Sequence, residues 1–216
     1  MARETGGVFL MLPSLEQSLV RGDKPVYELE IMRPYRPNLR AREELLRDRE
    51  RYPLRSIMWQ CIYELDPLQR PELSGQIEMR VHYSPAFDEF VRQARREQAK
   101  AKDYLVYLAR VQRALEKGAH HREQEADPRW QANYDLIYAQ LVAYQARMWE
   151  FMASLEAFVK NPKVVPLTKS PNLRLIHWDV SIRKQTLTKE SGPYIERASE
   201  LFRLVMENHP GTPWAG

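Results

Sequence analysis

Cysteine is nearly missing from this chain. Cys61 stands alone, which excludes an internal disulfide framework and a multi-cysteine metal site. It falls on an apolar helix face and reads as a small buried hydrophobe. Glycine is scarce too, 8 of 216 residues, and that argues against a loop-rich or all-β fold. No apolar run approaches the roughly 18–20 residues of a membrane-spanning helix. The run Val8–Leu12 before Pro13 is also too short for the core of a signal peptide. The expectation from these absences is a cytoplasmic protein without a membrane span.

Catalytic signatures are absent as well. There is no G-x-S-x-G turn, no phosphate-cradling glycine loop, and no Cys–His pair with local context. Glu43 and Glu44 are neighbours in sequence, so they do not share a helix face. Of the 5 histidines, none forms an HExxH pattern or another ligand pair at helical spacing. His120 and His121 read as part of a solvated polar connector beside Glu123, Glu125 and Asp127. The run Asp179-Val-Ser181-Ile-Arg183 places a cation where a third metal ligand would stand, so it reads as no metal site. Arg21-Gly22-Asp23 reads as a plain turn, since nothing in the sequence signals secretion. No cofactor is expected, no metal, and no catalytic residue.

Charge is plentiful but balanced. Lys+Arg number 33 against 29 Asp+Glu, a net of +4. The signs interleave, as in Arg47-Asp48-Arg49-Glu50-Arg51, which is the pattern of a salt-bridged, solvated helix face and argues against nucleic acid as a partner. One helix face does gather Arg92, Arg95, Arg96, Lys100 and Lys102, and this is the place where a polyanion would bind.

What the chain does have is two long helical patterns, over 86–117 and 128–160. In the second, Trp130, Tyr134, Ile137, Leu141, Tyr144, Met148, Phe151, Leu155 and Phe158 recur at alternating steps of four and three. That spacing holds one apolar seam on one face, as in helices that pack lengthwise. Phe87, Phe90, Val91, Ala94, Ala101, Tyr104, Leu105, Leu108, Val111 and Leu115 supply the matching inward face of the first. Ser84-Pro85 reads as its cap and Lys117-Gly118 as its stop, while Asp127-Pro128 caps and opens the second. Two such helices with a short connector should pack antiparallel, each about 45–50 Å long. Tyr138 and Trp149 fall off the seam and read as a second apolar stripe for a partner.

The rest is shorter. Strands are expected near 8–12, 76–83 and 175–182, the last two from period-two alternation. Residues 26–35 fit either a strand or a helical turn. A polar helix runs from Asn38 to about Arg51. Pro53 opens a core helix through Leu54, Ile57, Met58, Cys61, Ile62 and Leu65. Gly192-Pro193 opens a last helix with Ile195, Ala198, Leu201, Phe202, Val205 and Met206 inward, ending at Asn208-His209-Pro210.

Parts of the chain resemble two known families. Ala2-Arg3-Glu4-Thr5-Gly6-Gly7-Val8-Phe9 resembles the run leading into the final strand of von Willebrand factor A domains. Tyr27–Pro37 and Pro171–Ile182 are similar to the extension found after such domains in some bacterial proteins. Residues Ala198–Ala215 resemble a tetratricopeptide-type helix and its turn. The resemblance implies the C-terminal part of a larger protein, with the family's metal ligands lying upstream of this chain.

The expectation is therefore a mainly α (α+β) chain in three parts: a small α+β region at 1–83, a long antiparallel helical hairpin at 84–161, and an extended segment with a repeat-like helix at 162–216. A protein partner fits this organisation best, as for a non-catalytic interaction or scaffold module, and self-association is compatible with it. Polyanion binding and an enzyme with an unrecognised site are the alternatives.

Overall fold

The structure, a computed structural model, describes residues 27–37, 44, 47–65, 79–163, 177–181 and 186–215. Among these residues it is mainly helical, with one small antiparallel sheet. The expected strand at 8–12 and most of the expected helix at 38–51 lie outside the described residues. In chain order the elements are α1 (Leu29–Met32), α2 (Pro53–Leu65), β1 (His82–Tyr83), α3 (Phe87–Lys117), α4 (Ala119–Gln124), α5 (Pro128–Lys160), β2 (Trp178–Asp179) and α6 (Gly192–Asn208). In the segment left open between strand and helix, Leu29–Tyr35 is helical: α1 runs directly into a 3-10 turn at Arg33–Tyr35.

Helices α3 and α5 form the antiparallel hairpin. α5 starts where the Asp127 side chain accepts from the Arg129 N–H at 3.0 Å, with Pro128 in the first turn where its missing N–H costs nothing. α3 starts later than its Ser84-Pro85 signal. Its N-cap is Ala86, and Ser84 Oγ instead accepts from the Ala86 N–H at 3.2 Å. The connector is partly helical: His120 and His121 sit in the short helix α4, and residues 125–127 follow it without regular structure.

Polar ties set the hairpin register. The Tyr134 hydroxyl donates to the Leu115 carbonyl at 2.9 Å near the turn. Midway, buried Gln145 donates to Gln112 at 2.5 Å. Towards the open end, Gln98 donates to the Met152 carbonyl at 3.0 Å. Each satisfies a polar group that burial would otherwise leave at a cost of about 1–3 kcal/mol.

The main core lies between the hairpin and α2, through Leu54, Met58, Cys61, Tyr104, Leu108, Val111, Leu115, Tyr134, Leu141, Met148 and Met152. Burial pushes the Cys61 thiol up to about 12, so it is an inert apolar filler. A second core, of Ala139, Val142, Ala198, Leu201 and Val205, joins α5 to α6. A third, of Tyr83, Phe90, Ala94 and Leu155, closes the open end of the hairpin, and Trp178 and Val180 pack on it from beyond. α5 is thus the central helix, covered on two faces. Two residues expected inward point out: Phe87 at the start of α3 and Met206 on α6 are exposed.

Gly118, between α3 and α4, owes its place to close packing and not to a left-handed turn, since its φ is −87°. A Cβ there would sit 2.6 Å from Ile57 Cδ1 on α2. That atom is the free end of a flexible side chain. Gly118→Ala should therefore cost less than about 1 kcal/mol, while Gly118→Leu should cost about 1–3 kcal/mol by pushing α2 away. Urea titration checks this, and Ile57→Ala should restore part of the Gly118→Leu loss.

Candidate functional site

The basic face of α3 is largely neutralised from within. Arg92 bonds Glu89 one turn back, and Arg95 reaches across the hairpin to Glu156. Lys100 pairs with Glu97 at 3.7 Å. Arg96 and Lys102 are exposed. Acids thus stand beside three of the five cations of this face.

Tyr138 and Trp149 are both half-buried. Tyr138 lies where the main core meets the α6 core, and its hydroxyl donates to Glu116 at 2.9 Å. Burial, then the Glu116 contact, pushes its phenol upward. Trp149 packs on the main core, and its indole N–H is buried with no acceptor among the described residues. A further apolar face of α5, with Ala139 and Val142, is covered by α6, and Tyr138 packs against it.

Two ion-pair assemblies flank the hairpin turn. Arg55 of α2 donates to both carboxylate oxygens of Glu125, at 2.9 and 2.7 Å, and its guanidinium lies 4.0 Å above the Tyr52 ring. Bidentate geometry of this kind is roughly twice as strong as a neutral hydrogen bond. On the other side, Arg122 of α4 donates to both oxygens of Asp135, at 3.0 and 2.6 Å. His209, just past α6, donates from Nε2 to the same carboxylate at 2.9 Å, and its Nδ1 is 3.1 Å from the Tyr35 hydroxyl. Trp214 stacks on Tyr35 at 5.3 Å and donates to Asn133 at 2.8 Å. These contacts lock the C-terminal turn and the α1 region onto α5.

Glu125, and Glu156 across the hairpin from Arg95, carry a pH dependence. For Glu125, burial pushes the pKa up, but the Arg55 bond and the Asp127 N–H outweigh it and the net shift is downward from 4.5. The Arg95 and Gln98 side chains draw Glu156 down to about 2. A depressed pKa contributes stability that is present above the unfolded value and lost as pH falls through the folded one. Stability should therefore be level down to about pH 5 and fall between about pH 4.5 and 2. Urea midpoints across that range check this, and Glu125→Gln should shrink the step.

A further cluster stands on the outer face of the small sheet. The register pairs His82 with Asp179 and Tyr83 with Trp178. Strand residues alternate faces, so Tyr83 and Trp178 turn inward while His82, Asp179 and His177 share the solvent side. His82 Nδ1 lies 2.6 Å from Asp179 Oδ1, and His177 Nε2 lies 3.3 Å from the same oxygen. The His82 bond holds the Asp179 carboxyl below its ordinary range. Sequence reading missed this group because its members are separated by the whole hairpin. The available signal was a histidine in each of two alternating segments.

No family model matches the chain, and no curated protein or solved structure matches it.

Proposed function

We propose that the chain is a non-catalytic protein–protein interaction or scaffold module, with its contacts on the outward faces of α3 and α6. The observation that supports this is where its large apolar side chains stand. Val106 on α3 is 70% exposed, Met206 on α6 is 57% exposed, and Leu204 on another side of α6 is 40% exposed. Single exposed apolar residues are ordinary, but here they stand on the outer faces of helices whose inner faces are already filled. The polar groups with chemical potential, Arg55–Glu125 and Arg122–Asp135–His209, tie elements to one another. The resemblance to extensions behind von Willebrand factor A domains belongs to the same reading, and its Ala2–Phe9 run lies outside the described residues.

Light scattering coupled to size-exclusion chromatography, at low and high salt, tests the surface. The expected result is concentration-dependent association that survives salt and is lost in Val106→Glu or Met206→Glu. A photo-crosslinker placed at 106 or 206 in cells should also give one defined adduct that position 99 does not give. A monomer at every concentration, with no adduct from either position, would overturn the proposal.

A further inference from the structure

We propose that His82, His177 and Asp179 bind a divalent zinc ion on the outer face of the β1–β2 sheet. Among the described residues they are the set of three whose ligand atoms all lie within 4.8 Å of one another. Two imidazoles and a carboxylate are donors suited to zinc, and three protein ligands leave a fourth position for water.

The geometry is close to what the ion requires. Zinc–ligand bonds of about 2.0–2.1 Å at tetrahedral angles put neighbouring ligand atoms about 3.3 Å apart. The His177 and Asp179 atoms already stand at 3.3 Å. His82 and Asp179, at 2.6 Å, share a hydrogen bond that the ion would replace as the pair opens by about 0.7 Å. The side chains have room for that movement, being 66%, 38% and 55% exposed in the order His82, His177, Asp179.

Their backbones, by contrast, are held from beneath. Tyr83 packs on Phe90 at 5.1 Å, and Trp178 packs on Phe158 at 5.1 Å. The aromatic face thus fixes the register while the donor face stays open. Each strand is only two residues long, and so short a pair has little stability of its own. A shared ion would join the segment before α3 to the segment after α5 at the open end of the hairpin.

The test is calorimetric titration of the metal-free full chain with zinc chloride. One site with a dissociation constant of about 10 µM or tighter is expected. The paired change His82→Gln with His177→Gln should weaken it at least tenfold, and so should Asp179→Asn. All three side chains are exposed, so folding is not at stake, and circular dichroism confirms that. His120→Gln with His121→Gln should leave binding unchanged. Cobalt substitution gives a second readout, with the intense visible absorption of a four-coordinate site lost in the same variants. Absence of binding at 100 µM zinc, or binding removed by the His120/His121 change and kept in the His82/His177 change, would overturn the proposal.

Discussion

Replacing Ala139 with leucine is expected to lift α6 off α5 and to lower stability by about 2–3 kcal/mol. Ala139 is fully buried, and Ala198, Leu201 and Val205 of α6 share its cluster. The distance between packed helices is set by the side chains at their contact. Three added heavy atoms therefore have to be met by separation or by off-rotamer side chains. The hairpin's own ties, Tyr134 to Leu115 and Gln145 to Gln112, do not involve α6. Hydrogen exchange should accordingly show α6 amides losing protection while α3 amides keep theirs. The start of α6 has a separate anchor, Glu150, which accepts from the Ser191 hydroxyl at 2.5 Å and the Leu187 N–H at 2.8 Å. That anchor should hold the first turn longest. Leu201→Ala in the same chain should return part of the loss, since neighbouring changes couple. A midpoint unchanged to within about 0.5 kcal/mol would show that the α5–α6 contact is not close-packed.

That contact also shows how far the sequence could be read. The limits of α5 came from purely local chemistry: an aspartate cap, a proline in the first turn, and Asn161 beyond Lys160. Such signals need no knowledge of the rest of the chain. The aromatic seam was legible for the same reason. The second face of α5 was not, because Ala132, Ala139 and Ala146 carry little hydrophobic weight, although all are buried. Their spacing of seven residues was the available signal, since repeated small residues let another helix approach closely. Met206 failed differently: it follows buried Val205, and one residue turns a helix by about 100°, so adjacent apolar residues need not share a face. Period-two alternation located both strands, and among the described residues Met79–Val81 and Val180–Ser181 of the expected spans lie outside them. Pairing needs a partner as well as a pattern, and the described ladder covers two residues on each side. The histidine cluster and the Asp135 assembly join residues that only the completed fold makes neighbours.

The Asp135 assembly is where removal of one side chain should reach furthest. Asp135→Ala is expected to cost about 3–4 kcal/mol, because deleting one partner of a buried ion pair leaves the others without a counter-charge or acceptor. His209 is 2% exposed and Asp135 14%, so water replaces the lost bonds poorly. Three bonds disappear at once, two from Arg122 and one from His209. At about 2–4 °C per kcal/mol for a chain of this size, the melting midpoint should fall by about 6–16 °C. Arg122→Ala should cost less than half as much. Its guanidinium is 25% exposed, and Asp135 would keep His209 as a donor. Asp135→Asn should lie between the two, since one carboxamide oxygen still accepts. The loss should also be local in character. His209 links Asp135 to Tyr35, on which Trp214 stacks, so the C-terminal turn and the α1 region should loosen together in hydrogen exchange before the hairpin does. An Asp135→Ala cost no larger than that of Arg122→Ala would mean that His209 does not depend on this carboxylate, and that Trp214, bonded to Asn133 and stacked on Tyr35, holds the C-terminal turn.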